Sequence, residues 1–495
     1  MVRNGVQLIT YADRLAGDLP GLRALLTAEP WASAFTGVHV LPFFTPFDGA
    51  DAGFDPVDHT QVDPRLGTWG DLGAIAADGD VMVDIIVNHV SSDSADFRDW
   101  LERGASSPAD GMFLTLSSVF PDGATEADLA GVYRPRPGLP LSPYTVAGEK
   151  RLVWTTFTPQ QIDIDVTHPR ARAYLEAILD AVGGAGATMV RLDAVGYAVK
   201  TPGTTSFMTP ETFAFIDEFT GLARARGVEV LVEVHSYYRR QIEIGRSVDR
   251  VYDFALPPLI LDALATGDGG ALAAWLEVRP ANAVTVLDTH DGIGVIDVGA
   301  DQTAPDAPGL LPPDRLDALV ERIHEASGDT SRLATGAAAS NLDLYQVNCT
   351  FYDALGAADH SYLAARAIQF FTPGIPQVYY VGALAGRNDL ELLKATGVGR
   401  DINRAYYTPG EVAAELERPV VRALMALCAF RSGLPAFDGE FSYSVSGTTL
   451  TMKWVAAQAS ATLVVALDTH AVVLEWEHDG AVGWTKDLLE DPPVL

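Results

Sequence analysis

The sequence predicts an α/β fold: a (β/α)8 barrel with two inserted subdomains and a small C-terminal antiparallel β domain. Three observations carry this. Eight short apolar runs rich in β-branched residues recur along the chain, several of them separated by segments of helical periodicity. Two intervals are too long for a simple strand–helix repeat. Beyond residue 436 the pattern changes to short strands with turn signals between them.

The eight runs are residues 6–11, 38–44, 81–88, 188–193, 228–233, 250–254, 283–289 and 376–381. Strands of a parallel barrel are buried on both faces, so they read as near-continuous apolar segments. Between them, 169–182 carries apolar residues at helical spacing, and 209–225 opens on Thr-Pro-Glu, a helix-entry signal. Segments 71–77, 259–265 and 362–371 add further helices. Strands alternating with helices eight times over predict a barrel of the TIM type. A doubly wound open sheet shares the periodicity and is the competing arrangement.

The first long interval is turn-rich, with Pro121-Asp-Gly, Arg134-Pro-Arg-Pro-Gly and Gly148; the second holds Pro305, Pro308, Pro312 and Pro313. Both follow the C-terminal ends of strands, the face on which barrel active sites lie. The expected organisation is a barrel built from 1–86, 168–292 and 356–436, insertions at 87–167 and 293–355, and a β domain at 437–495. A helix at 420–430 precedes that domain, whose expected strands are 441–445, 448–454, 462–466 and 472–476.

The chain has 495 residues, 48% of them apolar, enough for a large core. Its net charge of −31 repels nucleic acid and anionic membranes and excludes both as main partners. There is no run of about 18 apolar residues and no signal-peptide pattern at the start, so the expected location is cytoplasmic. Cys349 and Cys428 make no disulfide framework. Free thiols in a reducing compartment are expected, a single bridge being the alternative.

Polar residues close four of the apolar runs: Asp84 to His89, Arg191-Leu-Asp193, Glu233-Val-His235 and Asp288-Thr-His290-Asp291. In a barrel these ends converge. Cleaving a glycosidic bond with retention needs one protonated carboxyl for the leaving oxygen and one ionised carboxylate for the anomeric carbon. Asp193, beside Arg191, is expected to be held ionised. Glu233, among other carboxylates in an apolar mouth, is expected to hold the proton. That makes Asp193 the nucleophile and Glu233 the acid/base, with Asp291 stabilising positive charge in the transition state. His39 and His59 are read as structural.

These four strand ends resemble, in order, the signature regions of the α-amylase superfamily. The resemblance implies the same three roles for Asp193, Glu233 and Asp291, places Arg191 two before the nucleophile, and makes His89 and His290 sugar-holding histidines. Other stretches resemble the sucrose phosphorylases: Asp48-Gly-Ala-Asp-Ala-Gly-Phe-Asp-Pro56, Tyr133-Arg-Pro-Arg-Pro-Gly-Leu-Pro140, Ala338-Ala-Ser-Asn-Leu-Asp-Leu-Tyr-Gln-Val-Asn348 and Gly399-Arg-Asp-Ile-Asn-Arg404. The resemblance runs from about Val6 to Pro435 and weakens in the C-terminal domain.

That resemblance implies reversible phosphorolysis of sucrose to α-D-glucose 1-phosphate and D-fructose, with no cofactor and in a homodimer. Asp51 and Arg400 would grip the far hydroxyls of a single glucosyl unit, with Phe54 and Phe157 as apolar walls. Tyr197, Asp343 and Gln346 fall near the sugar and acceptor. Phosphate entering an acidic site needs local positive charge and donors. Arg136 is the leading candidate, assisted by His235 and Tyr345. Asn88 matches a position that helps bind calcium in many α-amylases, but no companion carboxylate cluster is evident and no metal is expected.

Three alternatives remain. One is a related phosphorylase acting on sucrose 6′-phosphate, glucosylglycerol or glucosylglycerate, although 342–348 has no Lys or Arg to meet a phosphorylated acceptor. A sucrose hydrolase or transglucosidase is the second. A non-catalytic barrel is the third, and it would be expected to lack one of the three carboxylates.

Overall fold

All eight apolar runs supply a strand, and the eight close into one parallel barrel. In this computed structural model, which describes residues 2–49, 51–134, 138–301, 304, 306–335 and 346–495, the strands are β1 (Gln7–Thr10), β2 (Gly37–Val40), β3 (Asp80–Ile86), β4 (Met189–Asp193), β5 (Glu229–Val232), β6 (Arg250–Asp253), β7 (Ala283–Thr285) and β8 (Ile375–Tyr379). Each pairs in parallel with its two neighbours in sequence order, and β8 returns to β1. The open-sheet alternative is thereby excluded.

The apolar runs conceal a polar layer inside the barrel. Arg191 on β4 stands in register with Asp84 on β3, so the two side chains leave the sheet on the same face and pair. Asp84 Oδ2 also lies 2.9 Å from His39 Nε2 on β2. Across the barrel, the Tyr252 hydroxyl donates to Gln377 Oε1 at 3.0 Å, and Gln377 Nε2 donates to Gln7 Oε1 at 2.9 Å. Buried polar groups are tolerated when each finds such a partner.

Every ladder but β4 ends earlier than its apolar run, and three show why. β2 stops at Val40, two residues before Pro42, which has no N–H to offer a ladder. β3 stops at Ile86, although Val87 and Asn88 stay buried. β7 stops at Thr285, yet Val286 and Leu287 remain 1% exposed. Burial at the barrel mouth continues the apolar pattern after the hydrogen bonding has ceased, which puts Asp288 to Asp291 on a loop.

The helices match expectation within a few residues. They include Pro169–Gly184, Leu256–Thr266, Asp359–Phe371 and Pro419–Gly433. Pro210–Arg224 is capped by the Thr209 side chain, which accepts from Thr212 N. Between β3 and β4 lie an antiparallel hairpin, Leu141–Val146 with Glu149–Trp154, and a pairing of His89–Ser91 with Gln161–Asp163. Leu114, Val119, Phe120, Val132 and Trp154 form a separate small core there. Between β7 and β8, Ile293–Gly294 pairs with Gln346–Val347, and the segment also holds the helix Pro313–Ala326.

The chain ends in a five-stranded antiparallel meander, β9 (Glu440–Ser446), β10 (Thr449–Val455), β11 (Ala459–Ala466), β12 (Ala471–His478) and β13 (Ala481–Thr485). Four of these strands were legible from their alternation. β13 was not: it is an edge strand that is mostly exposed and so carries no apolar period. The sheet docks on the barrel helices, where Trp454 Nε1 donates to Phe371 O at 2.8 Å and Ser361 Oγ meets His470 Nδ1 at 2.6 Å. Both cysteines are buried and unbridged. Among the described residues no helix is long and apolar enough to cross a membrane.

One buried carboxylate ties the β7 loop to the helix Asp359–Phe371 and to β8. The Arg366 guanidinium, fully buried, pairs with Asp288 Oδ2, while Asp288 Oδ1 accepts from Tyr379 N at 3.1 Å. Gly382 makes room for this: a Cβ there would lie 1.8 Å from Asp288 Oδ2. Replacing Arg366 by Met leaves the Asp288 charge buried without its cation. The expected cost is about 3–5 kcal/mol of unfolding free energy, read from urea denaturation. A loss below about 1 kcal/mol would mean that the pair contributes no more than a surface one.

Candidate active site

Loops at the C-terminal ends of β3, β4, β5 and β7 bring their polar residues to one pocket. Its lining includes Asp51, Phe54, His89, Phe157, Asp193, Tyr197, Glu233, His235, His290, Asp291, Gln346 and Arg400, twelve of the residues singled out in the sequence. Arg191 lies beneath the floor, 1% exposed. Arg136, Asp343 and Tyr345 fall outside the described residues.

Arg191 organises the floor. Its guanidinium pairs with Asp84, reaches Glu233 Oε1 at 2.6 Å through Nη2, and reaches Asp193 Oδ1 at 3.3 Å through Nη1. A single buried cation thus serves three carboxylates on three consecutive strands or strand ends. Asp84 is held down at about 2: burial opposes this, but Arg191 and His39 outweigh it. Asp193 behaves otherwise. Burial pushes its carboxyl well above the usual range; Glu233, Asp84 and Asp291 push it further, and Arg191 only partly opposes them. This runs against the expectation that Arg191 holds Asp193 ionised. The guanidinium makes its closest contacts with Asp84 and Glu233, so Asp193 receives less of its charge.

Asp291 is the firmly ionised carboxylate. Burial would raise its pKa, but Arg400, His290, Arg404 and His235 together bring it far below the carboxylate range. Arg400 Nη1 lies 2.8 Å and Arg404 Nη2 3.7 Å from Asp291 Oδ1. Arg404 Nε donates to His290 O at 2.8 Å, and Asn403 Nδ2 donates to Thr289 O at 3.1 Å. The Gly399–Asn403 turn thereby fixes the β7 loop.

The sugar-sized walls follow from ring contacts. Phe54 stacks on His290 with centroids 4.7 Å apart, and Phe157 meets both His89 at 5.4 Å and Tyr197 at 5.2 Å. Burial keeps both histidines neutral, His290 down to about 3. A neutral ring has one donor and one acceptor; in His89, Nε2 lies 3.0 Å from Phe54 O and Nδ1 lies 3.3 Å from Asn88 Nδ2. Asp51 is reached by Gln161 Nε2 at 3.4 Å. Near Glu233, ligand atoms of His235 and Asp291 all fall within 4.8 Å of one another, so β5 and β7 meet at one spot.

The backbone bends sharply at these positions. Ala194, directly after Asp193, sits at φ 54° and ψ 18°, the left-handed region that an alanine enters at a cost of about 1–2 kcal/mol. The turn lets the chain leave β4 at once, so Asp193 faces the pocket from the strand's last residue.

Several residues were missed. Tyr133, Gln161 and Phe207 line the pocket. The Lys200 ammonium is buried against Asp163 Oδ2 at 2.6 Å, Asn88 Oδ1 at 2.8 Å and Tyr197 O, tying the first excursion to the ends of β3 and β4. Asp297 holds His235. Tyr133 opens one of the stretches quoted above, but the others have no motif around them, because their partners are distant in sequence; the one available signal was a polar residue inside an otherwise apolar stretch, as at Asp297.

Such a site on such a barrel defines an enzyme of the α-amylase type. An α-amylase from H. orenii shares the fold at a TM-score of 0.65 and 14% identity, covering 96% of this chain and 92% of that one. The chain belongs to the sucrose phosphorylase family. It is 54% identical over 504 residues to the sucrose phosphorylase of Bifidobacterium adolescentis, covering 100% of each. It is 58% identical over 468 residues to that of Agrobacterium vitis, covering 94% and 95%. The solved sucrose 6F-phosphate phosphorylase from Thermoanaerobacter thermosaccharolyticum superposes with a TM-score of 0.89 at 36% identity over 98% of each chain. The family model "Sucrose phosphorylase, C-terminal" matches residues 436–493, the part in which motif resemblance was weakest.

The buried histidines predict an acid sensitivity. His290 and His59 are both lowered to about 3, burial being the largest cause for each. In the unfolded chain they take up protons near pH 6.5. The unfolded state therefore binds more protons between about pH 6.5 and 3, and stability falls as the pH is lowered through that window. The expected slope is up to about 1.4 kcal/mol per pH unit for each histidine. Urea midpoints measured from pH 7 to 4.5 check this, and a flat profile contradicts it.

Proposed function

We propose that the protein transfers a glucosyl unit from sucrose to inorganic phosphate, reversibly, giving α-D-glucose 1-phosphate and D-fructose with retention at the anomeric carbon. The observation that carries this is identity above 50%, over 94% or more of the chain, to two sucrose phosphorylases. The convergence of Asp193, Glu233 and Asp291 on one pocket supports it.

In this reading Asp193 attacks the anomeric carbon while the bond to the fructosyl oxygen breaks. Glu233 gives its proton to that oxygen, and fructose leaves. A phosphate oxygen then attacks the glucosyl ester, Glu233 takes the proton back, and the bond to Asp193 breaks. Asp193 and Glu233 both sit on the Arg191 guanidinium. The reaction needs Asp193 ionised and a proton on Glu233 when sucrose is bound. Asp291, held ionised by Arg400, faces the positive charge that develops on the sugar. Asp51 and Arg400 close the far end of the glucosyl site, with Phe54 and Phe157 as its walls. The excursions at 87–167 and 293–355 supply the acceptor side with Arg136, Asp343, Tyr345 and Gln346, and the end of β5 adds His235. The protein is read as a cytoplasmic homodimer. Its two buried unbridged thiols fit a reducing compartment, and sedimentation equilibrium at a mass twice that of the chain tests the dimer.

Product analysis with sucrose, with and without phosphate, tests the reaction. Glucose 1-phosphate and fructose should form together only when phosphate is present. Free glucose at a rate indifferent to phosphate makes the protein a hydrolase. Turnover of glucosylglycerol or sucrose 6′-phosphate but not sucrose makes it a sister phosphorylase. Glu233→Gln should lower kcat on sucrose by about 10²–10⁴-fold but spare glucosylation from α-glucosyl fluoride, whose leaving group needs little protonation. Arg136→Ala should raise the KM for phosphate and leave hydrolysis of sucrose in its absence unchanged.

A further inference from the structure

A buried carboxylate that the catalytic scheme does not use stands behind the acceptor side of the pocket. Asp297, fully buried in the short turn Ile296–Val298, accepts from Ser236 N at 3.1 Å and from Gln241 Nε2 at 2.9 Å through Oδ1. Its Oδ2 lies 3.1 Å from His235 Nδ1. Among the described residues no Arg or Lys pairs with it. A carboxylate receiving three donors, with no other cation in contact, makes His235 its counter-ion, since a buried charge is tolerated only when paired. The ring of His235 is fixed as well, stacked on Phe254 with centroids 3.9 Å apart.

The chain is shaped for this contact. Gly294 pairs with Gln346 across the pocket edge, and a Cβ at Gly294 would lie 2.5 Å from Asp297 Oδ2 and 3.2 Å from His235 Nδ1. Any side chain there would wedge the two apart. His235 itself lines the pocket beside Glu233 and Asp291.

We propose that Asp297 is a positioning residue that holds His235 doubly protonated, so that the acceptor side of the pocket carries a cation and takes phosphate in preference to water in the second step. This rests on the phosphorolytic reading above. Phosphate must enter a cavity that already holds three carboxylates, and a charged imidazolium supplies both a donor and an opposing charge. Among the described residues the charged groups that face His235 agree in sign: Asp297 from the segment after β7, Glu233 from the end of β5 and Asp291 from the β7 loop, while the chain just after β6 presents the apolar ring of Phe254. Burial alone would lower the histidine's pKa, but these three carboxylates raise it above its ordinary value. Below that raised value the imidazolium is present. As the pH rises through it, the cation is lost and the KM for phosphate should climb.

Two measurements on the full-length protein test this. In the 13C-histidine NMR spectrum of the unsubstituted protein, the resonance that disappears in His235→Gln should titrate above pH 6.5. A midpoint at or below that value overturns the proposal, whatever the variants do. Asp297→Asn should then lower this midpoint, move the rise in phosphate KM to lower pH, and raise phosphate KM about tenfold or more at neutral pH. Hydrolysis of sucrose without phosphate should stay within about twofold. Gln241→Met removes a donor to Asp297 but leaves the His235 contact, so it should cost stability without changing phosphate KM. Equal loss of phosphorolysis and hydrolysis in Asp297→Asn, or an equal phosphate effect in Gln241→Met, would show a structural staple only and sink the proposal. A lowered His235 titration in a protein that releases only glucose would instead sink the phosphorolytic reading and leave the Asp297–His235 pairing standing.

Discussion

The Arg191 guanidinium is the constraint on which the pocket depends. It stands inside a closed barrel, in register with Asp84 and under Asp193 and Glu233. Three carboxylates within reach of one another repel strongly in a medium of low polarity. A single fixed cation at their centre is what allows them to be gathered there, and its planar fork lets it meet several at once. Because all partners come from adjacent strands, the barrel must close with this register for the site to exist.

A second cationic group secures the opposite side. Arg400 and Arg404 bear on Asp291, and Arg404 and Asn403 bind the backbone of the β7 loop. The two clamps have different consequences. Asp291 receives contacts from two guanidinium groups and is held ionised, whereas Asp193 shares one guanidinium with closer competitors and burial pushes its carboxyl upward. Position relative to a cation, more than carboxyl type, separates the states of these groups. Between the clamps, neutral histidines and aromatic rings make walls that a sugar ring can lie against.

Much of this was legible beforehand because the relevant signals are local. Each barrel strand is a short apolar run, and the catalytic candidates sit at or just past the ends of such runs. The Gly399–Arg404 stretch and the loop around Asp51 were recognisable as continuous motifs. Asp297, Lys200 and Gln161 were not, since each acts through partners from other parts of the chain: Asp297 through His235, Lys200 through Asp163 and Asn88, Gln161 through Asp51. The edge strand Ala481–Thr485 escaped for a different reason. An exposed strand has no apolar face to betray it.

The sequence by itself determined the barrel, the identity of the strand-end residues and the family. Apolar periodicity and contiguous motifs are properties of neighbouring residues, and they survive without coordinates. Only the tertiary structure decided how charge is distributed among those residues. Burial and distance set each ionisation state, and both arise from contacts between strands. The reversal of the expectation for Asp193 shows the difference. Its neighbour two residues back is an arginine, but the folded barrel directs the closest contacts of that arginine to Asp84 and Glu233.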